Sequence, residues 1–148
     1  GAEGSERVVF AAAMLRRPVG KLLSRYFLSG GPRADVRPLM IATTRLTFFL
    51  AVASDAAAER VLNRVRRELT ELNLTVTARD KNIFEIEQPI HSWEHHVYGL
   101  LQLCGHLGRQ WVLTGDIGHL FDAFSSHSAV AGVEAVHLTC DNPQAYEH

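Results

Sequence analysis

The run His91-Ser92-Trp93-Glu94-His95 gathers residue types that could do chemistry at close spacing. On a helix, positions i and i+4 are neighbours on one face, so two imidazoles placed that way can hold a zinc ion. A glutamate beside them can take a proton from a metal-bound water. A second set, His95, Gln102, His106 and Arg109, is spaced 7, 4 and 3 residues apart. On one helix these would line one side and face a ligand groove or a partner. Arg60, Arg64 and Arg67 form a third set, at the spacing of a phosphate-binding stripe. Asp55, Glu59, Glu68 and Glu71 are interspersed with them, however, and the pattern reads as ion pairing along a solvated helix face.

The first run resembles the H-x-x-E-H signature of the inverzincin metallopeptidases. The resemblance covers that short run alone, and it implies a zinc site with His91 and His95 as ligands and Glu94 as general base. Two features of the chain point elsewhere. Ser92 is a preferred N-cap residue, and with Ser92 as the cap His91 stands outside the helix and loses the i, i+4 relation. The third ligand in that family is an acid far downstream, whereas 53 residues follow His95, with Glu134 and Glu147 among the acids. The run therefore reads as the chemistry of a helix start, and no metal ion or cofactor is expected. His91, Glu94, His95, Gln102, His106 and Arg109 stay as the residues expected to meet a ligand or partner.

Several function classes are excluded by what the chain lacks. There is no C-x-x-C pair of the redox or metal-carrier kind and no G-x-S-x-G nucleophile elbow. The segment Ile83–Glu87 has one aromatic flanked by acids, where an RNA-binding sheet would need stacking rings and bases, so no nucleic-acid partner is expected. The formal net charge of −1 gives no reason to expect a polyanion as partner for the whole molecule. The apolar runs 38–44 and 46–54 are broken by Arg45 and fall short of the roughly 18–20 residues of a spanning helix. Cys104 and Cys140 give no disulfide framework; they read as two reduced, buried thiols in a cytoplasmic protein, with a single bridge between them as the alternative.

The elements that must position these residues follow from periodicity. Val8, Ala11, Ala12, Leu15, Val19, Leu22, Leu23 and Tyr26 keep helical spacing, with a kink or restart at Pro18. Gly30-Gly31-Pro32 ends that segment, and residues 30–37 read as a linker. Residues 38–43 and 46–53 are strand-like, joined at Thr44-Arg45 by a tight turn or as one bent strand. Ala58, Val61, Leu62, Val65, Leu69 and Leu72 make a helical stripe capped by Ser54 or Asp55. Residues 74–79 and 83–87 alternate as a hairpin, with Pro89 ending the second strand. Trp93, Val97, Leu100, Leu101, Cys104 and Leu107 form the next stripe, closed by Gly108. Residues 110–114 read as a strand, and Asp116 as the cap of a short helix carrying Ile117, Leu120, Phe121 and Phe124. Residues 132–140 are a last strand.

The expectation is an α+β fold with a ferredoxin-like (βαββαβ) antiparallel sheet between Leu46 and Thr114. N-terminal helices and an added C-terminal strand complete it. Residues 1–37 would be a helical segment and linker, and 38–148 the α+β domain. With no convincing catalytic constellation, the function expected is a non-catalytic binding or regulatory module that engages a protein partner. Small toxin-neutralising immunity proteins and regulatory domains work in this way. A homodimer is one form such a partnership could take. The alternative is a small metal-dependent hydrolase or ligand-binding domain using His91, Glu94 and His95.

Overall fold

The computed structural model describes residues 8–10 and 39–145. Its elements in chain order are β1 (Val8–Phe10), β2 (Met40–Leu50), α1 (Asp55–Glu71), β3 (Thr77–Asp80), β4 (Ile83–Ile90), α2 (Trp93–Leu107), β5 (Gly108–Arg109), β6 (Trp111–Leu113), β7 (Leu120–Ser125), β8 (His127–Ser128) and β9 (Val133–Asp141). Six strands of the 40–141 region join the short β1 in one sheet of order β1-β6-β7-β9-β2-β4-β3, and β5 pairs with β8. Every strand pair is antiparallel. The fold is thus mixed α+β, an antiparallel sheet with two helices among the described residues.

Both helices arise where their stripes and caps place them. Ser54 accepts the Ala57 N–H at 3.1 Å and starts α1, whose Val61, Leu62, Val65 and Leu69 are buried. Ser92 starts α2 by accepting from the His95 N–H, and the Gly108 N–H closes it on the Cys104 carbonyl. Strand β2 is one uninterrupted strand through Thr44-Arg45 because each of its residues from Met40 to Thr47 finds a partner on β4. Its alternate residues Ala42, Thr44, Leu46 and Phe48 are buried, as are Phe84, Ile86, Gln88 and Ile90 of β4. These join Phe121 and Ala123 of β7, Val136, Leu138 and Cys140 of β9 and the stripes of both helices in one core. Both helices therefore cover the same face of the sheet, and the opposite face carries the other half of each alternation.

Several expectations need correction. Trp111–Leu113 does not lie beside β2: β6 pairs with β1 and β7, and β9 takes the place next to β2. Local periodicity marks a strand but carries nothing about its neighbour. The helix expected after Asp116 is a turn followed by strand β7. The Asp116 carboxylate accepts the Gly118 N–H at 2.9 Å and its carbonyl accepts from His119 and Leu120, which redirects the chain into the sheet. Residues 74–76 are not strand, and only Thr77–Asp80 pairs with β4. Strand β4 also runs past Pro89 to Ile90.

The proline is accommodated by register. The Phe48 N–H bonds to the Asn82 carbonyl, so hydrogen-bonded partners recur at even positions of β2 and the pair Ile41–Pro89 is a non-bonded one. The Pro89 nitrogen faces away from β2, toward the side where β3 has already ended, and no ladder bond is lost. The helical reading of the N-terminal segment fails at Val8–Phe10, which is strand, and otherwise lies outside the described residues.

At Gly132 the turn into β9 has φ +91°, and a Cβ there would stand 2.4 Å from Val61 Cγ2. The left-handed turn and the close approach of α1 both require glycine. Arg64 of α1 donates to the Ala131 carbonyl at 2.6 Å and ties the same turn to the helix.

Candidate functional site

The residues singled out by sequence fall in three separate places. Ser92 Oγ accepts the His95 N–H at 3.3 Å and donates to the Glu94 carboxylate at 3.0 Å. Ser92 is therefore the cap, and His91 precedes the helix, so His91 and His95 do not share a helical face. Gln144 locks this start in place. Its amide oxygen accepts the Trp93 N–H at 3.0 Å and its amide nitrogen donates to the His91 carbonyl at 2.6 Å. The Trp93 indole N–H donates to the Ile117 carbonyl at 2.8 Å, which joins the 115–119 turn to the same corner. Among the described residues, no group of three or more His, Cys, Asp or Glu side chains could hold a metal ion.

The set His95, Gln102, His106 and Arg109 does not form one edge. Gln102 is buried at 8% exposure, and Arg109 has left the helix for β5. The His106 ring meets Glu68 of α1 at 2.9 Å, a link between the two helices. The helix carries its polar residues partly inward because it is covered on more than one side. His96, which no periodicity argument selected, is buried against the Trp93 ring at 5.9 Å, and burial lowers its pKa from 6.5 to about 4. Burial pushes the Cys104 thiol well up and that of Cys140 to about 12, so neither is poised as a nucleophile.

The outer face of the sheet is where chemistry-bearing and apolar side chains gather in the open. Alternation places Ile41, Thr43, Arg45, Thr47 and Phe49 of β2 there. Glu85 and Glu87 of β4 stand on one side, and His137, Thr139 and Asp141 of β9 on the other. Strand β7 adds Asp122 and Phe124, registered opposite Thr139 and His137. Three of the large apolar side chains on this face are exposed: Ile41 at 57%, Phe49 at 42% and Phe124 at 42%. The Phe49 and Phe124 rings lie 6.3 Å apart, and the Phe124 and His137 rings 6.5 Å. His137 Nε2 sits 2.6 Å from the Asp122 carboxylate, whose other oxygen accepts from the Thr114 hydroxyl at 3.2 Å. Along the same face, Arg79 and Arg45 both bond Glu85, at 2.7 and 3.0 Å, and hold its carboxyl below the ordinary carboxylate range.

This arrangement was not found from sequence. Phe124 and Asp122 fall in the segment read as a helix, and His137 shows only as the polar member of an alternating strand. Period two gave no usable signal here, because Leu120 and Phe124 put apolar residues on the face opposite Phe121 and Ala123. A cleft of about 190 Å³ lies apart from it, between α1 and the β3–β4 edge, where the Arg66 guanidinium stands 5.8 Å over the Phe84 ring. Arg66 is already bonded to Asn63 at 2.7 Å, and the cleft is lined mainly by Leu69, Leu74, Val76, Ala78 and Phe84.

No family model, no curated protein and no solved structure matches the chain.

Proposed function

We propose that the chain is a non-catalytic binding or regulatory module that engages a protein partner through the outer face of its sheet. The observation that carries this reading is the pair of exposed rings Phe49 and Phe124, 6.3 Å apart on the outer sheet face, with the exposed Ile41 further along β2 on the same face. Aromatic side chains bury large areas at little conformational cost, and they are enriched where proteins meet. An open sheet face suits a protein better than a small molecule, which needs a concave pocket. The strand order β9-β2-β4-β3, with α1 between β2 and β3, supports placing this unit with the ferredoxin-like βαββαβ arrangement, β9 standing as its last strand. Reduced, buried cysteines support a cytoplasmic setting.

The test is photocrosslinking in the cells that make the chain. Benzoylphenylalanine replaces Phe49 or Phe124, with Glu71 on α1 as the control position. A discrete adduct from both sheet positions and none from Glu71 is the expected result. The same adduct pattern from all three positions, or none from the sheet positions, would overturn the reading.

A further inference from the structure

We propose that the partner segment received by this face is basic and amphipathic. Its apolar side would lie on Ile41, Phe49 and Phe124, and its arginine or lysine side chains would meet Glu87, Asp122 and Asp141. The inference rests on the reading of the face as a protein-binding surface and names the chemistry of what binds. Its ground is the charge pattern around the apolar patch. Among the described residues, the strands β2, β4, β7 and β9 place four acids on this face, Glu85, Glu87, Asp122 and Asp141. The cations beside them are Arg45 and Arg79, and both are bonded to Glu85. Glu87 and Asp141 are exposed, and among the described residues of these strands acids outnumber bases on this face.

Acids stand at both ends of the face, Asp122 at the ring end and Glu87 and Asp141 at the Ile41 end. Asp122 lies two residues before Phe124 on the same strand and therefore projects from the same face beside it. A guanidinium set over Phe124 would lie close to the Asp122 carboxylate, adding ring contact to charge pairing. The Asp122 carboxylate is already oriented by His137 and Thr114, so it loses little freedom on binding. Glu87 and Asp141 stand at the other end of the face, beside Ile41: Glu87 is registered opposite Thr43 from β4, and Asp141 follows Thr139 and Cys140, the partners of Arg45 and Thr44, on β9. A neutral apolar partner would have to bury or skirt these acids without compensation, and an acidic one would be repelled.

The experiment titrates the full chain with two fluorescent peptides of about 18 residues, each with leucines at helical i, i+3, i+4 spacing. One carries arginine at its polar positions and its twin carries glutamate there. Fluorescence anisotropy should show saturable binding of the arginine peptide, weakened by added salt, and binding of the glutamate twin at least roughly tenfold weaker. The variant carrying Phe49→Ser and Phe124→Ser should lose the binding. Glu87→Gln with Asp141→Asn should weaken it several-fold, with both variants melting as the parent does. Equal binding of the two peptides, no binding of either, or binding untouched by the sheet-face substitutions would overturn the proposal. So would a dimer that the Phe49→Ser, Phe124→Ser variant dissociates, because the face would then hold a second copy. If crosslinking from Phe49 and Phe124 captures a partner while the peptides do not discriminate, the binding function stands and only this assignment fails.

Discussion

Replacing Trp111 by alanine is expected to destabilise the fold by about 3–5 kcal/mol, the range for removing a large aromatic from a packed core. Trp111 is fully buried, and its indole N–H donates to the Cys104 carbonyl at 2.9 Å. One side chain therefore fixes strand β6 to the last turn of α2. Its loss leaves a cavity under the helix and removes a buried hydrogen bond. Chemical denaturation should show the lower midpoint. A midpoint close to that of the parent would mean that β6 is not packed under α2 as described.

The second large effect is one of pH. His96 is buried in α2 and its pKa is lowered from 6.5 to about 4, with burial as the cause. Above the unfolded value the ring is neutral in both states and carries no penalty. Between the two values the unfolded chain takes up a proton that the folded chain refuses, so stability falls as pH falls. The loss attributable to this group should reach about 3 kcal/mol near and below pH 4. The measurement is the denaturation midpoint against pH for the parent and for His96→Leu. The variant should show a flatter acid limb. Parallel limbs in the two proteins would place the acid sensitivity on other groups.

The helices were legible because their signals are local. The stripe Val61, Leu62, Val65 and Leu69 and the cap at Ser54 lie within a few turns of each other, and the buried set matches the stripe. In α2 the cap at Ser92 and the burial of Trp93, Leu100, Cys104 and Leu107 follow the stripe, but Val97 and Leu101 are only half-buried and His96, Gln102 and Leu103 are buried outside it. The second strand of the hairpin and the last strand, with Val136, Leu138 and Cys140 inward, were readable from period two. What was not legible depends on the rest of the molecule. Whether β6 or β9 lies next to β2 is decided by how all strands share one core, and the sequence around Trp111 does not state it. Pro89 is tolerated inside β4 only because β3 is short, a fact that resides in another strand.

The misreading of residues 116–124 and the missed site have one cause. Ile117, Leu120, Phe121 and Phe124 satisfy helical spacing because β7 keeps apolar residues on both of its faces. An ordinary half-buried strand would place polar residues outward and would have read as a strand. Phe124 broke the alternation, and Phe124 is also one of the exposed rings of the outer face. The residues first selected, His91, Glu94, His95, Gln102, His106 and Arg109, were chosen for chemistry along one helix. In the fold, most of them serve the start of α2 or its packing. Sheet faces, by contrast, gather residues from strands far apart in sequence, and no spacing rule brings Phe49, Asp122 and His137 together.

The most direct measurement of the central claim is radical footprinting of the chain, purified at low concentration and again inside the cells that make it. Phe49 and Phe124 are exposed on the outer face, and Tyr98 of α2, at 49% exposure, serves as the reference on the helical side. The account predicts that both phenylalanines are oxidised readily in the purified chain and protected in cells, with Tyr98 oxidised alike in both. Phenylalanines oxidised to the same extent in cells and in purified protein, with protection falling on Tyr98 instead, would contradict it.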